Sequence, residues 1–132
     1  MIGFRIDRRS GTAVYVQLGE QVRQGVRTGR LVEGDRLPTA REVAERHGVN
    51  PNTVLRAYRD LEAAGVVEVR QGAGTFVCAA PPPVDVTPRL RDELTDWVAR
   101  ARAAGLDLDT VRALAADAVT DAFHEELTDH AR

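Results

Sequence analysis

Apolar and polar residues alternate in two different ways over the first thirty positions. Residues 4–7, Phe-Arg-Ile-Asp, alternate one by one, which is typical of a short strand. Beyond Thr12 the period lengthens to four, which predicts an amphipathic first helix. Its apolar positions are Val14, Leu18, Val22 and Val26. We expect Thr12 to cap this helix and Gly29 to end it.

Capping residues mark the next two helices. Thr39 and Glu42 have the spacing of a capping box, so a brief second helix is predicted there, and Gly48 is expected to stop it. Asn50 and Pro51 are the residue types preferred at the cap and in the first turn of a third helix.

The third helix, predicted to run to about Gly65, has two unlike sides at about 100° per residue. One side gathers Val54, Ala57, Tyr58 and Leu61, and the other carries Asn52, Leu55, Arg56 and Arg59. Polar groups that can reach base edges or phosphates lie in its N-terminal turn, at Asn50, Asn52 and Thr53, and Arg56 and Arg59 follow on the outer side. The alternative is that Asn50 and Thr53 only cap the helix and that the arginines are merely solvated.

Two β-rich runs follow, at 66–70 and 75–78, and the glycine-containing connection 71–74 predicts a hairpin. Three short helices and then a hairpin is the order of a winged helix-turn-helix domain. In that fold the third helix enters a major groove, and the hairpin tip lies on the neighbouring backbone or minor groove.

A proline-rich linker at 81–87 divides this domain, residues 1–80, from a C-terminal part, residues 88–132. Thr87–Pro88 and Asp107 each predict the start of a helix. The two helices carry apolar seams, at Leu90, Leu94, Trp97 and Ala101, and at Val111, Leu114, Ala118 and Phe123. Because a two-helix appendage cannot bury both seams, we expect a homodimer that joins two such hairpins. For Trp97, an effector lid is the alternative to a dimer core.

The predicted fold class is therefore mainly α with a small β-hairpin: a winged helix-turn-helix followed by a two-helix dimerisation module. Charge agrees with this division. Residues 1–80 hold twelve arginines against nine acidic residues, whereas residues 81–132 hold six against eleven. Any polyanionic partner is expected at the N-terminal part.

Composition argues against several functional classes. No apolar window is long enough for a membrane span, and the charged N-terminus is unlike a signal peptide, so a reducing cytoplasm is the expected location. The single cysteine, Cys78, allows no internal disulfide and is expected to fill a small apolar space. His124 has acidic neighbours within one turn, but a solvated helix face is the simpler interpretation, and no metal site is predicted. No nucleophile–base pair supports an enzyme, and no cofactor is expected.

Four ordered blocks carry a family resemblance: residues 34–44, 48–54, 61–67 and 72–77. Together they resemble the GntR family of bacterial transcription regulators over residues 10–78. Residues 50–58 and the two C-terminal helices are similar to its YtrA-like subfamily. That resemblance implies a short dimerisation module, no large effector domain, and usually repression of transporter operons nearby.

The resemblance also implies which residues touch DNA. The family's contacts fall on Arg41 in the second helix, on Asn50, Asn52 and Thr53 in the third, and on Gln71 and Gly72 at the hairpin tip. This sequence departs from the family at Leu55, where many members have an arginine that often contacts guanine. Arg56 lies one residue further, rotated by about 100°.

Two functional classes follow. The first is a homodimeric transcription regulator, expected to be a repressor, on a palindromic double-stranded DNA operator. The second is a winged-helix adaptor that binds another protein. The sequence identifies neither the operator nor the regulated genes, and it leaves open whether a small-molecule effector exists.

Overall fold

The computed structural model describes residues 2–78 and 88–126. The chain divides into two units between residues 86 and 87. The linker predicted at 81–87 and the cap predicted at Thr87 lie outside the described residues.

Three helices and a hairpin make up the first unit, in the predicted order: α1 (Val14–Arg27), α2 (Ala40–His47), α3 (Pro51–Ala63), β1 (Val67–Arg70) and β2 (Gly74–Val77). Both α1 and α2 pack on α3, and β1 packs against α3 as well. The four apolar residues predicted on the inner side of α3 are all buried, together with Leu18, Val22, Leu37 and Val43. The helices α1 and α2 and the strand β1 pack on one side of α3, and its opposite side is exposed.

Local capping sets the ends of α2 and α3 as predicted. The Thr39 hydroxyl accepts a hydrogen bond from the Glu42 amide at 3.0 Å, and Gly48 ends α2 with a φ of 65°. Asn50 Oδ1 accepts from the Asn52 amide at 2.8 Å, and Pro51 is the first residue of α3. These caps satisfy amides that a helix start leaves without partners.

The prediction of a strand at residues 4–7 is wrong. The segment forms no strand. It buries Phe4, and its hydrogen-bond partners are side-chain amides of α1. Gln21 pairs with both backbone groups of Arg5, at 2.9 and 2.6 Å, and Gln17 pairs with both backbone groups of Asp7 at 2.9 Å. Gln17, which is itself buried, also donates to the Thr12 carbonyl at 2.8 Å. The two glutamines thus do locally what a neighbouring strand would do.

The predicted cap of α1 is also wrong. The helix begins at Val14 with Ala13 in the cap position and without a side-chain cap. Thr12 lies one residue before the cap position. Its carbonyl accepts a hydrogen bond from Gln17, and its amide donates to the Ser10 hydroxyl at 3.0 Å. The helix ends at Arg27, two residues before Gly29, which adopts a φ of 78°.

The antiparallel hairpin, called the wing, pairs Val67 with Val77 and Arg70 with Gly74 at its two ends. The sequence did not predict that residues 34–37 run beside β2 and pair with it through an isolated antiparallel bridge between Arg36 and Phe76. Gly34 and Leu37 donate their amides to the carbonyls of Val77 and Thr75, at 2.9 and 2.8 Å, and the Val77 amide donates to Asp35 at 2.8 Å. The segment that leads into α2 is therefore fastened to the wing.

The second unit consists of α4 (Pro88–Ala103) and α5 (Leu108–Ala122), which pack on each other. Gly105, with a φ of 90°, forms the turn between them. Asp107 caps α5 as predicted, because its Oδ1 accepts from the Thr110 amide at 2.8 Å, and this bond lowers the pKa of the Asp107 carboxyl. Over the described ranges, no helix combines the length and apolar character that crossing a membrane requires.

Candidate nucleic-acid interface

Three of the predicted DNA-contacting residues meet at the start of α3. Asn50 and Asn52 are exposed, and Thr53 is half-buried. The Thr53 amide donates to the Asn50 carbonyl at 3.0 Å, and the Asn50 side chain holds the Asn52 amide. The Asn50 oxygen therefore serves the helix, while its NH₂ group and the whole side-chain amide of Asn52 face solvent as donors and acceptors.

Arg56 is oriented by a residue of α1. Its Nη2 donates to the Tyr15 hydroxyl at 3.1 Å, and its guanidinium carbon lies 3.8 Å from the centre of the Tyr15 ring. This combines a hydrogen bond with a cation–π contact, although Arg56 is exposed and lies 41 residues further along the chain.

Arg41 lies in the first turn of α2 with its side chain in solvent. Its Nε is 3.1 Å from Oε1 of Glu45, one turn along the same helix. The side chains of Arg41 and Glu45 are 87% and 68% exposed, so water screens this pair strongly. Arg41 and the start of α3 are on separate helices that pack together.

The tip of the wing carries the other two predicted contacts. Gln71 and Gly72 are exposed in the turn between β1 and β2, and Gly72 has a φ of 79°, which favours glycine. The Ala73 amide closes the turn onto the Arg70 carbonyl at 2.9 Å. A backbone without side chains at Gly72 can approach a phosphate closely.

A charged pair stands beside this turn. Arg70 Nη2 lies 2.6 Å from a Glu68 oxygen, and its guanidinium carbon is 4.4 Å from the Phe76 ring centre. Another acid supports the strand itself, because Glu62 of α3 accepts from the Val69 amide at 2.9 Å. The cation nearest the wing tip is therefore partly compensated.

Two tertiary contacts fix α2 relative to its surroundings. The buried Tyr58 hydroxyl donates to the Pro38 carbonyl at 2.5 Å, just before α2, and burial with a smaller effect of Glu42 raises the pKa of Tyr58. At the other end, Arg8 Nη2 donates to the carbonyls of His47 and Gly48, both at 2.8 Å. A cation at a helix C-terminus is favourable, and here it also holds the turn that leads to α3.

Sequence reasoning missed Tyr15, Arg8 and Glu68 as residues of this region. Tyr15 and Arg8 act on partners some forty positions away, so no local pattern could reveal them. Only the Glu68–Arg70 pair had a signal, since residues two apart lie on the same face of a strand. Within residues 2–78 and 88–126, no three potential metal ligands cluster.

The second unit presents the apolar residues predicted for dimerisation unevenly. Six of them are large side chains: Leu90, Leu94, Trp97, Val111, Leu114 and Phe123. Leu94 and Phe123 are 59% and 51% exposed, Leu90 and Leu114 are exposed too, and Trp97 and Val111 are half-buried. Of the two alanines, Ala118 is exposed but Ala101 is buried. Ala101 therefore offers little surface to a partner in this conformation.

Comparison with known proteins identifies the family. The family model of the bacterial regulatory proteins of the gntR family matches residues 14–77. The HTH-type transcriptional regulator Rv1152 of Mycobacterium tuberculosis is 43% identical over 102 residues, which cover 77% of this chain and 82% of that protein. The chain belongs to the GntR family. It is thus a transcription regulator with a winged helix-turn-helix DNA-binding domain.

The YtrA-like subfamily is supported by two further GntR relatives. The HTH-type transcriptional repressor YtrA of Bacillus subtilis is 33% identical over 108 residues, which cover 80% of this chain and 83% of that protein. The structure of YtrA from Sulfolobus acidocaldarius, described as a GntR-family transcription factor, superposes with a TM-score of 0.53 at 29% identity. It covers 89% of this chain and 97% of that one. The resemblance expected from the four sequence blocks is therefore confirmed.

Proposed function

We propose that this GntR-family protein represses transcription as a homodimer that binds a palindromic operator through α3, the start of α2 and the wing. The observation that carries the proposal is the division of α3: one side is buried as the centre of the core, and the other is exposed with Asn52, Arg56 and Arg59. A helix held in this way can enter a major groove without losing its own packing.

Base recognition is assigned to the N-terminal half of α3. The amide of Asn52 can both donate to and accept from an adenine edge, and Asn50 adds donors. Thr53 completes this group, and Arg56 offers the forked donors that suit guanine. The exposed Leu55 can meet a thymine methyl group.

Backbone contacts are assigned to the other two elements. Arg41 extends from the first turn of α2, and Gln71 and Gly72 present polar groups at the tip of the wing. Contacts of this kind set the register of a protein on DNA, whereas base contacts set the sequence preference.

Dimerisation is assigned to α4 and α5. Their exposed leucines and Phe123 form more apolar surface than a two-helix unit hides by itself. Pairing two such units about a two-fold axis would bury this surface in a four-helix bundle. A dimer with that symmetry requires an operator with matching symmetry, with half-site centres about 10 bp apart or a multiple of that distance.

The repressor assignment draws on the B. subtilis relative, which is named a repressor. Transcription in vitro from the promoter of the protein's own gene tests it: purified protein should lower the transcript yield, and a higher yield would indicate an activator.

Sequence-specific binding is tested by a gel shift on the DNA upstream of the protein's own gene, with a scrambled duplex as competitor. We expect a shift that excess scrambled DNA does not remove at moderate salt. A protein-binding adaptor would leave the duplex unshifted. Arg56→Ala should weaken binding and also relax base choice. Equal losses on cognate and scrambled duplexes would instead mean that Arg56 touches only phosphate.

A further inference from the structure

Three arginines of the first unit are held by different kinds of partner. Arg41 and Arg70 are paired with the carboxylates of Glu45 and Glu68. Arg56 is held by Tyr15, through a hydrogen bond to its hydroxyl and a cation–π contact with its ring. Among the described residues Arg56 forms no ion pair, although Asp60 lies one turn further along α3. Tyr15 thus orients the Arg56 guanidinium, and no carboxylate neutralises its charge within the described residues.

The contact with Tyr15 leaves most N–H donors of Arg56 available for a base. A guanidinium has five N–H donors in one plane, and the cation–π contact of Arg56 is made by its guanidinium carbon, 3.8 Å from the centre of the Tyr15 ring. Only one donor, on Nη2, is directed at the Tyr15 hydroxyl, 3.1 Å away. Four donors remain, and a guanine edge requires two that are parallel. A long side chain that is already ordered also loses less rotamer freedom on binding.

The position of Tyr15 makes this contact a property of the fold. Tyr15 is half-buried at the beginning of α1, which packs on α3, and it adjoins the hydrophobic core. A ring fixed in this way cannot follow a mobile arginine, so the arginine takes its direction from the ring.

We propose that Tyr15, on a helix outside the helix-turn-helix pair, is a specificity-determining positioning residue that orients Arg56 for recognition of a base. This inference rests on the proposed function, in which Arg56 contacts the operator. It assigns part of the sequence preference to α1, through a residue that itself contacts no base.

The test is a double-mutant cycle in the full-length protein. The probe is the consensus duplex that the wild-type chain selects from a random-sequence duplex library, together with every single-base-pair variant of it. Affinities are measured for wild type, Tyr15→Phe, Tyr15→Leu and Arg56→Ala, and for the two combinations with Arg56→Ala. Tyr15→Phe keeps the ring and removes the hydroxyl, whereas Tyr15→Leu removes both contacts. Thermal unfolding of each variant checks that the first unit remains folded.

We expect Tyr15→Leu to weaken consensus binding about tenfold, because the contact with Arg56 is lost in both copies of the proposed dimer. Tyr15→Phe, which keeps the ring, should weaken it by about threefold. The loss of base preference should fall on the same base pairs that Arg56→Ala affects. With Arg56→Ala in place, neither Tyr15 change should alter affinity more than twofold. The matched control is Arg59→Ala, an exposed arginine of the same helix, in whose presence the Tyr15 effects should persist in full.

Failures of the two proposals can be told apart. If Arg56→Ala loses base preference and the Tyr15 losses add to it, the positioning role is overturned while the DNA contact of Arg56 stands. If Arg56→Ala binds like wild type, or if the chain selects no consensus, the DNA contact falls and the positioning role falls with it.

A DNA-free measurement separates orientation from folding. In NMR spectra the Arg56 side-chain resonances should carry the ring-current shift of Tyr15. That shift should be kept in Tyr15→Phe and lost in Tyr15→Leu, with the other arginine signals unchanged. Arg56 resonances that are the same in all three proteins would overturn the inference.

Discussion

Arg41 Nε lies 3.1 Å from Oε1 of Glu45, at the solvent-facing side of α2. The spacing of four residues made this pair foreseeable from sequence, and an exposed pair of this kind contributes about 0.3–0.5 kcal/mol. Loss of this pair should therefore change the stability of the fold very little. The contact therefore holds a cation near the start of α2 without binding it strongly.

Replacing Arg41 should separate stability from DNA binding. Arg41→Ala is expected to leave the melting temperature nearly unchanged and to reduce operator affinity about tenfold or more, because a phosphate contact is lost in both copies of the proposed dimer. Fluorescence anisotropy at fixed salt measures the affinity. Glu45→Gln is the matched control, because it breaks the same ion pair but keeps the cation, and it should bind at least as tightly as wild type. A change of less than twofold for Arg41→Ala would remove α2 from the DNA-binding face.

The ion pair between Arg70 and Glu68 in the wing should affect the affinity for DNA but not the sequence preference. Arg70→Ala is expected to weaken binding to all duplexes by a similar factor. It should lower the slope of log affinity against log salt by about one unit for each wing that contacts a phosphate. Glu68→Gln should raise affinity on all duplexes, because it frees the Arg70 charge. Arg70→Lys keeps the charge and should keep the salt slope. A consensus that changes at one base pair in Arg70→Ala would place this arginine on a base.

An acidic residue in the apolar seam of α4 should prevent dimerisation. Leu94 is 59% exposed, so Leu94→Asp should leave α4 folded while it places a charge where a second copy is proposed to pack. Light scattering should give about twice the chain mass for wild type and the single chain mass for the variant, and operator affinity should fall with it. Ala99→Asp, on the opposite side of α4, is the control and should remain dimeric. Wild-type protein that is monomeric at micromolar concentration would contradict the proposed assembly.

Removing the Tyr58 hydroxyl should destabilise the first unit. Tyr58→Phe leaves the Pro38 carbonyl without its donor in a buried place, which should cost about 1–3 kcal/mol of unfolding free energy in urea denaturation. Tyr15→Phe removes a hydroxyl from a half-buried tyrosine whose partner is exposed and is expected to cost less. Equal losses of unfolding free energy for the two variants would show that the buried Tyr58 hydrogen bond stabilises the fold no more than the exposed one of Tyr15.

Tyr58 should also make stability depend on pH in alkaline solution. Burial raises the pKa of Tyr58, so the folded chain keeps this proton at pH values where the unfolded chain, with a tyrosine pKa of about 10, releases it. The unfolding free energy should therefore fall as pH rises above about 10, by up to about 1.4 kcal/mol per unit from this group. In Tyr58→Phe that component should disappear, which chemical denaturation at several pH values can measure. An unchanged alkaline slope would assign the effect to other groups.

The helix-turn-helix was predictable because its signals are local. Thr39 and Asn50 cap helices within three residues, Gly48 ends one by its own backbone preference, and the inner side of α3 follows from period alone. The wing was placed to within one residue, since its β-rich runs and glycine turn are contiguous.

Contacts between distant parts of the chain were not predictable. The alternation at residues 4–7 predicts a strand, and nothing in it reveals that Gln17 and Gln21 bind the backbone of this segment instead. The segment at 34–37 is too short for a strand pattern, and its bridge to β2 arises only because β2 lies beside it. The same holds for the proposed interface. Its candidate residues could be predicted from the sequence, but the contact between Arg56 and Tyr15 could be seen only in the structure.

The pairing of residues 34–37 with β2 has a mechanical consequence. Three backbone hydrogen bonds tie the approach to α2 to the wing and so limit changes in the opening between α2 and the wing. A duplex that does not fit this opening has to bend or change its groove width, and the elastic cost depends on base pairs that the protein does not touch. On the proposed complex, the stiffness of the DNA between and beside the contacted bases would then contribute to the choice of operator.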